Sequence, residues 1–273
     1  MPKLTTPDQV NLNYTDIGSG RPIVMIHGWP LSGAAFADNA KVLAAAGYRV
    51  ITYDRRGFGQ SGKPRDGYDY DTLAADLDAL LTGLDLHDVV LLGFSMGGGE
   101  VARYLATRGS GRVGAAILSG SICPALCITK DNPDGAMPRE GFQELADACA
   151  ADHAGFVDQF CGWFYSNEQG LTVPEEVRQQ AVEIARQSAP HAAVATILTW
   201  TEDLREDCRR IDVPLLVIHG DGDQNVPLAK SSARMPEYAQ QAQLVVIEGG
   251  PHGINVSHAD QWNAAILSFL AGS

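Results

Sequence analysis

Short apolar runs alternate with helical stretches along most of this chain, and that alternation constrains its fold more than any other feature. Ile23-Val24-Met25-Ile26, bounded by Pro22 and Gly28, reads as a strand. So do Val50-Ile51-Thr52-Tyr53, Val89-Val90-Leu91-Leu92, Ala115 to Leu118, Leu215 to Ile218 and Leu244 to Ile247. Between them lie helical stretches. Ala34 to Ala46 is closed by Gly47 as a C-terminal cap, and Asp71 to Leu84 places Leu73, Leu77, Leu80, Leu81 and Leu84 on one face. Ala259 to Leu270 reads as a terminal helix. This is the pattern of a mostly parallel sheet with helices on both faces. The segment up to about Asp16 reads as an antiparallel edge hairpin. At 273 residues and 45% hydrophobic, the chain suits one large α/β domain or a domain with an insertion.

One region breaks the alternation. From about Ile122 to Arg210 no convincing strand is visible. The region is helical in pattern and rich in aromatic side chains: Phe142, Phe156, Phe160, Trp163, Phe164 and Trp200. It begins just after one core strand and ends just before another. The expected division is therefore a core of residues 1–121 and 211–273, with residues 122–210 as a helical cap over the carboxyl end of the sheet. In open α/β sheets that edge is where ligands bind.

The net charge of −13 argues against nucleic acid or an anionic membrane as a partner. Met1-Pro2-Lys3-Leu4-Thr5 does not open a signal peptide, and no window approaches the ~18 apolar residues of a membrane span. A cytoplasmic location is the resulting expectation. The five cysteines lie between Cys123 and Cys208 without disulfide-scaffold or zinc-ligand spacing, so they read as buried free thiols. Cys123 and Cys127 have the spacing of one helical turn.

Chemistry enters at Gly93-Phe94-Ser95-Met96-Gly97, a G-x-S-x-G segment between a strand and a helical stretch. A strand, sharp turn and helix in that order force the serine into strained torsions and project its hydroxyl above the sheet edge. A serine nucleophile needs a base, an acid and oxyanion donors. Of the later histidines, His252 in Gly249-Gly250-Pro251-His252-Gly253 follows a strand and precedes the last helix, as a base requires. His258 reads as a helix-start residue. The acid lies in His219-Gly220-Asp221-Gly222-Asp223-Gln224, where Asp221 and Asp223 compete. Asp223 stands further along the loop, where it reaches His252 more easily, and Asp221 suits a bond to the backbone of its own turn. Backbone N–H groups of Met96 and Trp29 are the expected oxyanion donors; Pro30 has none to offer. His27 reads as a structural residue of that loop. Asp54-Arg55-Arg56-Gly57-Phe58-Gly59 reads as an ion-paired, glycine-rich loop that shapes the cavity wall. Without a G-x-G-x-x-G fingerprint, a dinucleotide-dependent dehydrogenase is excluded.

These motifs, with His27-Gly28-Trp29-Pro30, Gly97-Gly98-Gly99-Glu100, Gly220-Asp221-Gly222-Asp223-Gln224 and Pro251-His252-Gly253, resemble the bacterial arylesterases and cofactor-free (non-haem) haloperoxidases of the α/β-hydrolase superfamily, from near Val10 to Leu270. The resemblance implies an α/β-hydrolase fold, with a mostly parallel eight-stranded sheet and an inserted helical cap. It implies a triad of Ser95, Asp223 and His252, oxyanion donors at Trp29 and Met96, and no cofactor or metal. It further implies a small-molecule ester as substrate, cleaved through an acyl-Ser95 intermediate. Hydrogen peroxide is the second acceptor, giving a peracid that oxidises halide away from the enzyme. Some relatives cleave small lactams or lactones, and relatives are often homo-oligomers. Pro30 is the residue found in haloperoxidase-named members. The expected acyl pocket comprises Pro30, Phe94, Phe160, Trp163, Phe164 and Val226. Asn225 departs from the family, which usually carries an aliphatic residue there. A different class of function on the same fold, a small-molecule receptor, would show slow single turnover with persistent product binding.

Overall fold

The strand-like runs assemble into one eight-stranded sheet in the order β1-β2-β4-β3-β5-β6-β11-β12. The computed structural model describes residues 2–272; Met1 and Ser273, the ends of the core as divided above, lie outside them. The hairpin β1 (Lys3–Thr5) and β2 (Asn11–Gly18) is antiparallel, and β2 runs antiparallel to its next neighbour. From there β3 (Pro22–Ile26), β4 (Arg49–Tyr53), β5 (Val89–Phe94) and β6 (Val113–Ser119) pair in parallel. The four strands β7 (Cys127–Ile128), β8 (Met137–Pro138), β9 (Ser166–Asn167) and β10 (Gly170–Leu171) form two small ladders outside the sheet. Then β11 (Leu215–Gly220) and β12 (Ala242–Ile247) complete its parallel edge.

Burial explains why the central runs are apolar throughout. Every residue of β5 and β11 is buried, and β3, β4 and β6 are buried at all but one position, so helices cover both faces. The outer strand β12 lacks that cover, and Leu244 and Val246 are exposed there. The helices are α1 (Ala37–Ala45), α2 (Tyr70–Gly83), α3 (Met96–Arg108), α4 (Arg139–Ala151), α5 (His153–Phe164), α6 (Glu175–Ala185), α7 (Pro190–Thr199), α8 (Arg205–Arg209), α9 (Ile254–Ser257) and α10 (Ala259–Leu270). Helix α1 packs with α10, and α2 packs with α3, which also meets α8. Among the described residues no helix is long and apolar enough to cross a membrane.

Two details depart from the sequence reading. The stretch between β6 and β11 is helical but not strand-free; its strands of two residues each are too short to show as apolar runs. Cys123 and Cys127 do not share a helical turn, because Cys127 opens β7. All five thiols are buried and free.

Beneath the sheet edge lies a buried ionic network. Arg55, in the loop after β4, places Nε 2.9 Å from Oε2 of Glu100 on α3, and both side chains are fully buried. Tyr53 donates its hydroxyl to the same carboxylate, and Arg55 Nη2 donates to the His27 carbonyl at 2.8 Å. Burial pushes the Glu100 carboxyl above its ordinary range, opposed by the Arg55 charge. Removing one partner of such a pair strands the other without compensation. Glu100→Ala is therefore expected to cost about 3–5 kcal/mol of folding stability, read as a lower urea midpoint at unchanged slope. A loss under about 1 kcal/mol would show the pair to be energetically idle.

Candidate active site

The sheet reverses its strand order between β3 and β5: the chain adds β4 on one side of β3 and then returns to add β5 on the other. The carboxyl ends of these two strands border a crevice, the place where open α/β sheets bind ligands. Both leave the sheet into loops that carry predicted site residues, Trp29 after β3 and Ser95 after β5.

Ser95 sits between β5 and α3 with φ 55° and ψ −119°. A non-glycine residue in this region is strained, and the surrounding close packing holds it there. The flanking glycines are steric necessities: a Cβ on Gly93 would lie 2.4 Å from the Gly97 carbonyl oxygen, and one on Gly97 would lie 2.5 Å from the Ile26 oxygen. The amide of Ser95 is tied to Ser119 O at 2.8 Å, which anchors the turn to β6. Its hydroxyl faces His252, with Oγ 2.9 Å from Nε2.

His252 lies in the loop between β12 and α9, almost fully buried. Its Nδ1 is 2.6 Å from Asp223 Oδ2. With Nδ1–H donated to the carboxylate, Nε2 is left to accept the Ser95 proton. Phe94 and Phe164 hold the ring edge-on, at centroid distances of 5.3 and 5.0 Å.

Asp223 follows β11 and takes four donors. Oδ1 accepts the backbone N–H groups of Asn225 at 2.9 Å and Val226 at 2.8 Å. Oδ2 accepts His252 and, at 3.1 Å, Nε2 of His219. Burial raises the pKa of this carboxyl. The charge of His252 and the hydrogen bonds from both histidines outweigh it and hold the group well below the usual carboxylate range. His219 is the residue sequence reasoning left unassigned. Its Nε2–H also reaches Val226 O at 2.8 Å, and its Nδ1 meets Ser232 Oγ at 2.7 Å. That partner stands thirteen residues along the chain. Its one sequence signal was position, at the buried end of a strand that leads into the acid loop.

Asp221 is exposed and accepts Gly249 N–H at 2.6 Å. It bonds the loop that carries His252 rather than the backbone of its own turn, and so ties the acid loop to the base loop.

The N–H groups of Met96 and Trp29 have no protein acceptor among the described residues. Close approach of the two loops shows at Gly28, where a Cβ would lie 3.0 Å from Ser95 Cβ. His27 braces that loop: Nδ1–H donates to Gly28 O at 2.9 Å and Nε2 accepts Arg55 N–H at 3.0 Å. Burial, and then the Arg55 charge, keep His27 well below the ordinary histidine pKa, hence neutral. The Trp29 indole donates Nε1–H to Ala193 O at 3.0 Å and packs against Phe160 and Trp200.

Ser95 and His252 open into a cavity of about 330 Å³. Val226 and Asn225 line it from the loop after β11, and Phe160 and Trp163 from α5. Phe142, Leu145, Phe156 and Trp200 add walls that the expected acyl pocket lacked. Pro30, Phe94 and Phe164 are not on the lining. The two phenylalanines are spent on the His252 ring instead, and Pro30 is buried in the loop after β3. Nor does the loop after β4 shape the wall as expected: its charges are drawn under the sheet edge by Glu100 and Asp76. Among the described residues no cluster of three or more His, Cys, Asp or Glu side chains is placed to hold a metal ion.

Comparison with known proteins places this geometry among relatives. Residues 21–259 match the family model for the alpha/beta hydrolase fold. A non-haem chloroperoxidase, CPO-A1, of Kitasatospora aureofaciens is 41% identical, with 99% of each chain covered. A bifunctional esterase/perhydrolase of Acinetobacter calcoaceticus is 33% identical over 98% of each. Among solved structures, a bromoperoxidase from Bacillus anthracis superposes with a TM-score of 0.96 at 39% identity, covering 99% of each chain.

Proposed function

The chain belongs to the α/β-hydrolase family, in the branch of the non-haem haloperoxidases and esterases, and on that premise we propose that it cleaves small aryl and alkyl carboxylic esters through an acyl-Ser95 intermediate. The observation that carries this reading is the unbroken relay from Ser95 Oγ through His252 to Asp223, opening into an apolar cavity. Ser95 adds to the ester carbonyl as its proton passes to His252 Nε2. The oxyanion that forms is received by the Trp29 and Met96 N–H groups; one such donor is worth roughly 3–4 kcal/mol in a transition state. His252 then returns the proton to the leaving alkoxide, and the alcohol departs.

The acyl group leaves by the mirror of these steps. Water, deprotonated by His252, releases the acid. Hydrogen peroxide in its place releases a peracid, which oxidises bromide to hypobromous acid in solution and returns as the parent acid. The relatives named chloroperoxidase, bromoperoxidase and esterase/perhydrolase support both outcomes from one site. In this reading residues 122–210 form a cap that supplies the aromatic walls and limits water at the serine.

Turnover of p-nitrophenyl acetate, followed by halogenation of a dye with peroxide and bromide, tests the reading. Ester hydrolysis is expected without peroxide. Dye halogenation is expected only when an acyl donor and peroxide are both present. Halogenation that proceeds equally well without any acyl donor would refute the peracid route.

A further inference from the structure

Two histidines meet one oxygen of Asp223. Oδ2 stands 2.6 Å from His252 Nδ1 and 3.1 Å from His219 Nε2. His219 lies near the end of β11, fully buried, and does not line the cavity that holds Ser95. It touches the chemistry through the carboxylate alone.

The tautomer of His219 follows from its partners. Nε2 faces two oxygens, the Val226 carbonyl at 2.8 Å and the Asp223 carboxylate. Neither has a proton to give: a carbonyl only accepts, and this carboxyl is held ionised far below its ordinary range. Nε2 therefore carries the proton. Nδ1 is completed by the Ser232 hydroxyl at 2.7 Å, which donates to it. Ser232 is fully buried as well, so the imidazole is fixed from both sides.

Two N–H groups thus compete for Oδ2, while Oδ1 is taken by the backbone N–H groups of Asn225 and Val226. A carboxylate oxygen that accepts a second donor offers less negative charge to the first. The imidazolium form of His252 is the one that needs that charge. Resting on the triad reading, we infer that His219 is a positioning residue of the relay: its Nε2–H holds Asp223 Oδ2 and tempers the pull of that oxygen on His252, so that His252 serves as a base at lower pH.

The other neighbours of the His252 ring are Ser95 Oγ, the rings of Phe94 on β5 and Phe164 on α5, and Gly120 after β6. The further titratable groups of the surrounding elements are Tyr165, Asp221, Glu248 and His258. Tyr165 packs against Gly253, and burial keeps its phenol protonated. Asp221 and Glu248 are exposed, where water and salt screen them, and His258 is bonded to Ser257.

The test is the pH profile of kcat/KM for p-nitrophenyl acetate, whose acid limb marks protonation of the base in the free enzyme. His219→Met removes the donor, and the limb is expected to move to higher pH by roughly half a unit to one unit. His219→Gln places an amide N–H near the position of Nε2 and is expected to restore most of that shift. A merely structural histidine would lower the plateau and leave the limb in place. A limb unmoved in His219→Met, or moved equally in His219→Gln, overturns the inference. A second readout needs no variant to fold: nitrogen NMR of the wild type with isotopically labelled histidines is expected to show a proton on His219 Nε2 throughout the pH range of activity. A bare Nε2 in that range overturns the inference too. No ester turnover, or turnover that survives Ser95→Ala, strikes the triad reading, whereas Ser95-dependent turnover with an unmoved limb strikes this inference alone.

Discussion

Replacing Ser95 by alanine is expected to lower turnover of p-nitrophenyl acetate by about 10⁴- to 10⁶-fold, while the melting temperature stays within a few degrees of the wild type. The size of the first effect follows from what the hydroxyl does. Its oxygen lies 2.9 Å from His252 Nε2, and in the proposed mechanism no covalent intermediate forms without it. The proposed oxyanion donors and the cavity survive the change, so a residual rate above water is expected. The second half of the expectation follows from the backbone. Alanine retains the Cβ that the turn already accommodates, and the positive φ at this position strains serine and alanine alike. A variant that keeps more than a tenth of the wild-type rate would remove Ser95 from the mechanism. Circular dichroism with thermal melting guards against the trivial outcome of an unfolded protein.

Asp223→Asn is expected to be nearly as damaging, with kcat lower by about 10⁴-fold and KM little changed. The reason is hydrogen-bond direction rather than size. Two backbone N–H groups, from Asn225 and Val226, point at one side of the Asp223 carboxyl. An amide must present its oxygen there, which turns its NH₂ toward His252 and His219. His252 must then accept at Nδ1, so Nε2 carries the proton and faces Ser95 as a donor. In that tautomer it cannot serve as a base. Stability gives a second readout. The carboxyl is ionised far below its ordinary range in the folded protein, so its contribution is complete above the unfolded value of about 3.9 and is lost as pH falls below it. The stability gap between wild type and Asp223→Asn should therefore narrow below about pH 4. An equal gap at pH 3 and pH 7 would contradict this account of the carboxyl, and an unchanged kcat would remove it from the relay.

The fold was legible because its demands are local. A strand buried on both faces must be apolar throughout, and β3, β5 and β11 are. The elbow was legible for a related reason: a turn so tight that a Cβ at Gly93 or Gly97 meets backbone oxygen has to write its glycines into the chain. Asp223 and His252 followed from their places after β11 and β12. What stayed hidden depends on side-chain direction and on distant partners. Phe94 and Phe164 were expected to face the substrate, yet both close on the His252 ring. No periodicity distinguishes those directions. Arg55 read as part of the cavity wall because nothing local announces that Glu100, 45 residues on, draws it into the interior. His219 escaped assignment because its role rests on Ser232 and on a carboxylate it shares with another histidine. Phe142, Phe156 and Trp200 were visible as aromatic residues of a helical region, but which of its side chains meet the cavity is set by packing.

Mass spectrometry of the protein quenched in acid during turnover of p-nitrophenyl acetate tests the central claim most directly. The mechanism predicts the mass of one acetyl group on the peptide that bears Ser95, formed together with p-nitrophenol and faster than acetate is released, and absent from Ser95→Ala. Turnover with no adduct, or an adduct on another side chain that persists in Ser95→Ala, would contradict the acyl-serine mechanism.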